Sequence, residues 1–140
     1  MNGMGAIISS SDTSKGREAA RTVLVVDDNR DMVDSIGKVL EFLGYSSIPA
    51  YSAREACDLL DEASNVDLVL SDVRMPDMDG FDLLRVLRHR FRSLPIILMS
   101  GLAVTPDDIV PSGAAILQKP IDMRELQRLV EQKLGRNGDL

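Results

Sequence analysis

The sequence predicts an α/β protein built on a doubly wound parallel sheet of five strands. Short apolar runs alternate with segments in which apolar residues recur at helical spacing, a pattern typical of consecutive βα units. The runs are apolar on both faces, which favours central strands covered by helices on each side. Right-handed crossovers leave few arrangements for five such units, and we expect the strand order 2-1-3-4-5.

The first half of the chain supplies two strands and two helices. Residues 22–27 form an apolar strand, and Asp28-Asn29 then supplies a helix start, with Gly44 as the helix end. Residues 46–51 form a weaker strand in which Pro49 indicates an edge or end position, because proline cannot donate to a ladder. A capping box over residues 52–55 starts the second helix.

The second half continues the alternation less regularly. Strands are expected at residues 67–72, 95–100 and 114–118, a third helix begins at Gly80 or Phe81, and Asp122 caps a last helix. From residue 101 to 113 the helical pattern weakens. Pro106 opens and Pro111 closes what we expect to be a shortened or irregular fourth helix.

Composition excludes several classes of protein. The chain of 140 residues is long enough for one domain with a buried core, and its net charge of -6 argues against a nucleic-acid surface. Its apolar runs are too short to cross a membrane, and one cysteine builds no disulfide framework, so we expect a cytoplasmic protein. We expect a mobile extension over residues 1–21, a domain over 22–134 and a tail over 135–140.

Carboxylates follow two strands at the sheet edge where ligands bind in such folds. Asp27 and Asp28 follow the first strand, and Asp72 ends the third. Two unit charges ~4 Å apart interact by roughly 4 kcal/mol at an effective dielectric near 20. Either some of these carboxyl groups take up protons, or a cation lies among them. A ligand set made only of oxygen favours Mg²⁺ over Zn²⁺, without distinguishing it from Mn²⁺.

The same edge could support phosphoryl transfer. A carboxylate beside Mg²⁺ can attack phosphorus and form an acyl phosphate. Ser100 offers a hydroxyl and Lys119 an ammonium to stabilise the developing charge. Gly101 leaves room for the incoming group, and Pro120 permits a cis peptide after the lysine. Each signal is weak alone, and their joint placement at strand ends indicates a site.

Four motifs occur in an order that is specific to one family. They are Asp27-Asp28, the run Asp72-Val73-Arg74-Met75-Pro76-Asp77-Met78-Asp79-Gly80, Ser100-Gly101 and Lys119-Pro120. The chain resembles the receiver domain of two-component response regulators, the CheY-like superfamily with a flavodoxin-like fold, over about residues 22–134. The resemblance implies that Asp72 accepts a phosphoryl group from a phosphohistidine on a sensor histidine kinase or a histidine phosphotransfer protein.

The resemblance also implies the roles of the other site residues. Its metal ligands are Asp28 and Asp72 directly, the backbone carbonyl of Arg74, and Asp27 through water. Ser100 and Lys119 contact the phosphoryl oxygens. A receiver is not an enzyme, apart from the self-catalysed phosphorylation and dephosphorylation of Asp72. It signals by changing its protein-interaction surface, which a downstream protein partner, or an output domain missing from this chain, would recognise. It implies no nucleic acid and no membrane.

Two features depart from the family pattern. Ile116 stands where an aromatic switch residue, coupled to the hydroxyl of Ser100, is common, and the segment before Lys119 looks short. We therefore expect intact phosphorylation with an altered read-out. Two alternatives remain open: a receiver-like scaffold that acts without phosphate, and an aspartyl-phosphate phosphatase. The phosphatases that use a strand-end Asp with Mg²⁺ require a second Asp two residues on, where this chain has Arg74.

Overall fold

A computed structural model describes residues 20–62, 65–101 and 114–135 of the chain. The strands are β1 (Thr22–Val26), β2 (Ser46–Ala50), β3 (Leu68–Asp72), β4 (Ile96–Ser100) and β5 (Ala115–Gln118). The helices in these ranges are α1 (Arg30–Phe42), α2 (Ala53–Glu62), α3 (Gly80–Arg90) and α4 (Met123–Leu134). The expected irregular helix, most of the N-terminal extension and most of the C-terminal tail lie outside the described residues.

The five strands form one parallel sheet in the order β2-β1-β3-β4-β5. This confirms the predicted order 2-1-3-4-5 and the doubly wound class. Every residue of β1, β3 and β4 is buried. The strand order reverses between β1 and β3, and such folds bind their ligands at that point, beyond the carboxyl ends of the strands.

Two hydrophobic clusters cover the two faces of the sheet. In β1, Val23 and Val25 point into one cluster with α1 and α4, whereas Leu24 and Val26 point into the other with α2 and α3. All four side chains are fully buried. Burying one such aliphatic side chain contributes about 1.5–3 kcal/mol, so the central strands fix the sheet that carries the site.

The edge position of β2 follows from its sequence. Pro49 pairs in register with Val25 of β1, and the opposite side of β2 has no neighbouring strand among the described residues. A proline that lacks an N–H group is tolerated there. Within the part of the chain that the structure describes, no helix is long and apolar enough to span a bilayer.

Side-chain caps define the starts of the helices. Asn29 accepts a hydrogen bond from the Met32 N–H at the start of α1, and Asp122 accepts one from the Arg124 N–H at the start of α4. The cap expected from Asp122 is therefore present, and Glu125 in the first turn of α4 pairs with Arg128. At α2 the Ser52 hydroxyl oxygen accepts from the Glu55 N–H at 3.0 Å, as the sequence predicts.

Candidate functional site

Four polar side chains meet at the carboxyl edge of the sheet. Asp27 follows β1, Asp72 ends β3, Ser100 ends β4 and Lys119 follows β5. The first three are buried. The Lys119 N–H donates to the Ser100 carbonyl oxygen at 2.7 Å, which continues the β4–β5 ladder to the site. The sheet order therefore brings together residues that are up to 92 positions apart in the chain.

Three carboxylates form a compact acidic cluster. One oxygen from each of Asp27, Asp28 and Asp72 lies within 4.8 Å of the others. Asp27 is 1% exposed and Asp72 is 6% exposed, whereas Asp28 is exposed at the rim. Asp27 Oδ1 accepts a hydrogen bond from the Asn29 N–H at 3.0 Å, but its buried Oδ2 has no hydrogen-bond partner among the residues that the structure describes. A ligand set of oxygens with one unsatisfied buried oxygen fits a hard divalent cation.

One cation faces this cluster from β5. The Lys119 Nζ lies 3.1 Å from Asp72 Oδ1 and 3.9 Å from Asp27 Oδ2. The lysine side chain is 27% exposed, so it spans from the buried carboxylates to the surface. One ammonium against three carboxylates leaves an excess of negative charge, which a divalent cation would neutralise.

Burial is the main cause of the raised pKa of Asp27. It raises the pKa of this carboxyl group from 3.8 to about 6, with Asp72 and Asp28 adding to the increase. The Asn29 N–H and the Lys119 ammonium oppose the shift. We expected mutual repulsion of the carboxylates to favour either proton uptake or a bound cation; burial of Asp27 is a larger cause of its raised pKa than that repulsion.

An open cleft of about 350 Å³ lies above Asp72. It is lined by Asp72, Val73, Arg74, Ser100, Gly101 and Lys119. A methyl group added at Gly101 would meet no atom of the described part of the chain within 4 Å, so in that part the cleft does not depend on a glycine here. The Lys119–Pro120 peptide is cis, as Pro120 permits. The cleft gives a small ligand access to the Asp72 carboxylate.

Arg74 and Ile116 lie differently with respect to the cleft. Arg74 is exposed and lines both this cleft and a second one, shared with Asp28 and Asp79. Ile116 is half-buried in β5, pairs in register with Leu98 and packs against the cluster under α2 and α3. Ile116 thus lies within β5, whereas Ser100, the hydroxyl residue with which a switch residue at this position would be coupled, lies at the carboxyl end of β4.

Sequence reasoning missed two contributions from the loop between β3 and α3. A Cβ at Gly80 would lie 2.7 Å from the Asp72 carbonyl oxygen, so a glycine is required beside the acidic residue. Asp77 accepts hydrogen bonds from the start of α2, which lies more than twenty positions earlier in the chain. The loop composition gave a turn signal but no indication of this partner.

The fold and the site define a doubly wound α/β domain with an acidic cluster and a lysine at its ligand-binding edge. The family model described as the response regulator receiver domain matches residues 23–131. The chain therefore belongs to the receiver domain family of two-component response regulators. This membership favours the receiver over the scaffold and phosphatase alternatives.

Individual relatives agree with this assignment. The transcriptional regulatory protein CpxR of Escherichia coli K12 is 33% identical over 125 residues, covering 82% of this chain and 50% of CpxR. A CheY-like receiver domain protein from Methanospirillum hungatei has a TM-score of 0.77 and 30% identity, covering 82% of this chain and 94% of that one. A CheX–CheY–BeF₃–Mg²⁺ complex from Borrelia burgdorferi has a TM-score of 0.74 and 26% identity, covering 80% and 87%.

The comparison with CpxR also concerns length. The chain spans half the length of CpxR, and 22% of the length of a putative transcriptional regulator from Haloferax volcanii.

Proposed function

We propose that this receiver domain carries its signal as an aspartyl phosphate on Asp72. The observation that supports this most strongly is the pairing of a nearly buried carboxylate with an ammonium at 3.1 Å, in a cleft that also contains a hydroxyl. In the proposed step, an Asp72 oxygen bonds to phosphorus while the bond from phosphorus to the donor imidazole nitrogen breaks. The protein is a receiver domain rather than a classical enzyme, and self-catalysed gain and loss of this phosphoryl group belongs to the proposal.

Ser100 and Lys119 would contact the phosphoryl oxygens. Both line the cleft with Asp72, and they approach from β4 and β5 on the side away from Asp28. Lys119 now pairs with the Asp72 carboxylate. After phosphorylation the same ammonium would lie beside a phosphoryl oxygen, which carries more negative charge. A charge-assisted hydrogen bond of this kind contributes about 1.5–3 kcal/mol.

We assign Mg²⁺ to the acidic cluster, whose oxygen ligands would also suit Mn²⁺. Asp28 and Asp72 would bind it directly with the backbone carbonyl of Arg74, and Asp27 would bind it through water. When bound, the metal would neutralise the carboxylates and the phosphoryl oxygens, which lowers the cost of bringing anions together. The related CheX–CheY complex contains Mg²⁺ together with BeF₃, which supports this choice.

The phosphoryl donor would be a phosphohistidine on a sensor histidine kinase or a histidine phosphotransfer protein. The signal would leave through a protein partner or through an output domain joined to this receiver, as in longer relatives such as CpxR. We place the domain at residues 22–134, because its described elements run from Thr22 to Leu134, with an extension at 1–21 and a tail at 135–140. A cytoplasmic location belongs to the same proposal.

The read-out is proposed to differ from that of receivers with an aromatic switch. Ile116 is half-buried against the hydrophobic cluster that α2 and α3 cover, and its side chain has no polar group that could bond to the Ser100 hydroxyl. The phosphoryl signal would then reach the surface through Lys119 and the backbone that joins it to Ser100. Replacing Ile116 with Ala should change partner binding less than the equivalent aromatic-to-Ala change does in a receiver that has the aromatic residue.

The direct experiment uses a small-molecule phosphodonor. The protein is incubated with Mg²⁺ and acetyl phosphate, and the intact mass is compared with that of Asp72→Asn under the same conditions. The expected result is an adduct of one phosphoryl group that requires Mg²⁺ and is absent from the variant. An unmodified protein, under conditions that modify a known receiver, would favour a receiver-like scaffold that acts without phosphate.

A further inference from the structure

The loop between β3 and α3, residues 73–79, is closed at its base. The Gly80 N–H donates to the Val73 carbonyl oxygen at 2.6 Å, which joins the two ends of the loop. Met75 and Met78 pack against the hydrophobic cluster beneath it. Arg74 lies within this loop and lines the clefts at both Asp72 and Asp28. The position of the loop therefore sets where the Arg74 backbone lies relative to the acidic cluster.

The far side of the loop is fixed by Asp77. Its Oδ1 accepts a hydrogen bond from the Ala53 N–H at 3.3 Å, and its Oδ2 accepts one from the Arg54 N–H at 3.0 Å. These donors lie in the first turn of α2, where N–H groups have no partner within the helix. A carboxylate from another part of the chain thus binds two free donors of α2 at once.

The hydrogen bonds favour the ionised form of this carboxyl group. Burial alone would raise the pKa of Asp77, but hydrogen bonds from backbone N–H groups, those of Arg54 and Ala53 first, outweigh burial and hold the pKa below its usual value. A negative charge at a helix N-terminus is also favoured by the helix dipole. The contact is therefore expected to persist at neutral pH although Asp77 is exposed.

A cap for α2 is already present without Asp77. The Ser52 hydroxyl oxygen accepts from the Glu55 N–H, and Glu55 Oε1 accepts from the Tyr51 N–H at 2.7 Å. Tyr51 in turn lies under the Arg30 guanidinium, 3.9 Å from its carbon to the ring centroid, at the start of α1 just after Asp28. The start of α2 therefore contacts the loop after β3 through Asp77, and Tyr51, which precedes α2, contacts the start of α1 through Arg30.

We propose that Asp77 is a positioning residue for the metal, a role that rests on the proposed Mg²⁺ site. It holds the loop against the start of α2, and so holds the Arg74 carbonyl where it can complete the ligand set begun by Asp28 and Asp72. Residues that orient metal ligands commonly change metal affinity by 10–100-fold when they are replaced. Asp77 would act through the loop backbone and would not touch the metal.

The test compares Asp77→Ala with Ser52→Ala. Both variants remove a cap from α2, but only the first releases the loop. Mg²⁺ dissociation constants are measured by amide NMR titration with MgCl₂, which also shows whether each variant is folded. Asp77→Ala should weaken Mg²⁺ binding about tenfold, and Ser52→Ala less than about twofold, although both lower the melting temperature.

A second condition separates positioning from simple loss of charge. Repeating the titrations at high salt screens the long-range attraction of an exposed carboxylate for the metal. The difference between Asp77→Ala and the wild type should persist at high salt. If Asp77→Ala does not fold, Asp77→Asn takes its place; it keeps one acceptor oxygen and removes the other, so Mg²⁺ binding should still be weaker than in the wild type and the difference should persist at high salt.

The outcomes are distinguishable from those of the proposed function. A wild-type protein that binds no Mg²⁺ would overturn the metal site and this role together. Wild-type binding with an unchanged affinity in Asp77→Ala would overturn only the positioning role. The same holds if Ser52→Ala loses as much affinity, or if the difference disappears at high salt.

Discussion

The substitution Asp27→Asn should stabilise the protein at neutral pH in the absence of divalent metal. Asn keeps the side-chain oxygen that accepts the Asn29 N–H and has almost the same shape. It removes a charge that is nearly excluded from water and lies beside Asp72. The substitution also removes the weak ion pair of Asp27 with Lys119, whose charged atoms lie 3.9 Å apart. We expect the energy gained by no longer burying a charge to exceed the energy lost with this ion pair.

The magnitude follows from the raised pKa. Folding moves the pKa of Asp27 from 3.8 to about 6, and each pKa unit corresponds to about 1.36 kcal/mol, so the full ionisation cost is about 3 kcal/mol. Because the folded-state pKa is the higher one, this cost is absent well below pH 4 and complete above about pH 6. The stability of the wild type, relative to the variant, therefore falls as the pH rises through this window.

Urea unfolding at about pH 4.5 and about pH 7.5, without divalent metal, measures the effect. The advantage of Asp27→Asn should grow by about 2 kcal/mol between the two conditions, because roughly a third of the cost is already present at the lower pH. Asp58→Asn, at an exposed position on α2, serves as the control and should show a difference within about 0.5 kcal/mol at both. Saturating Mg²⁺ should reduce the advantage, because the metal favours the ionised carboxylate.

The reasoning would be refuted by a stability difference that does not change with pH. A variant that is less stable than the wild type at pH 7.5 would also contradict it. That result would mean that the attraction of Lys119 outweighs the loss of hydration at Asp27, and the order of causes given above would then be wrong.

Two further substitutions test other parts of the site. Lys119→Ala should still accept a phosphoryl group on Asp72 but should show a weaker conformational response to it. Moving the ratio of active to inactive conformation from 1:99 to 99:1 needs ~5.5 kcal/mol, of which the lysine would supply about 1.5–3 kcal/mol. Amide NMR spectra with and without phosphodonor measure the response, and an undiminished response would contradict this role of Lys119. Gly80→Ala should lower the free energy of unfolding by about 1–3 kcal/mol, because its Cβ would lie 2.7 Å from the Asp72 carbonyl oxygen. Gly101→Ala serves as the comparison and should leave the free energy of unfolding nearly unchanged. Equal urea midpoints for the two variants would contradict this prediction.

The fold could be predicted because its signals are local. Apolar runs without polar alternation predicted buried parallel strands, and Pro49 indicated an edge or end position, which agrees with the place of β2 at the edge of the sheet. Given parallel strands, the polar residues that end them must share one edge. The meeting of Asp27, Asp72 and Lys119 therefore followed from the strand order, and the structure shows it.

The remaining features depend on contacts that no local pattern encodes. Asp77 was part of a turn signal, and nothing in the sequence names Ala53 and Arg54 as its donors. Asp79 caps α3 by accepting a hydrogen bond from the Asp82 N–H. In the sequence it lies in a run rich in Pro, Asp and Gly, which fitted a turn residue as well as a helix cap. The order of the causes of the pKa shift at Asp27 required knowing how deeply that side chain is buried.

The central claim is that Asp72 itself forms the acyl phosphate. After treatment with Mg²⁺ and acetyl phosphate, borohydride reduction converts an aspartyl phosphate to homoserine, and peptide mass mapping locates the change. We expect homoserine at position 72 and aspartate at positions 27 and 28. Homoserine at another carboxylate, or none while the intact protein carries a phosphoryl group, would contradict the assignment of Asp72.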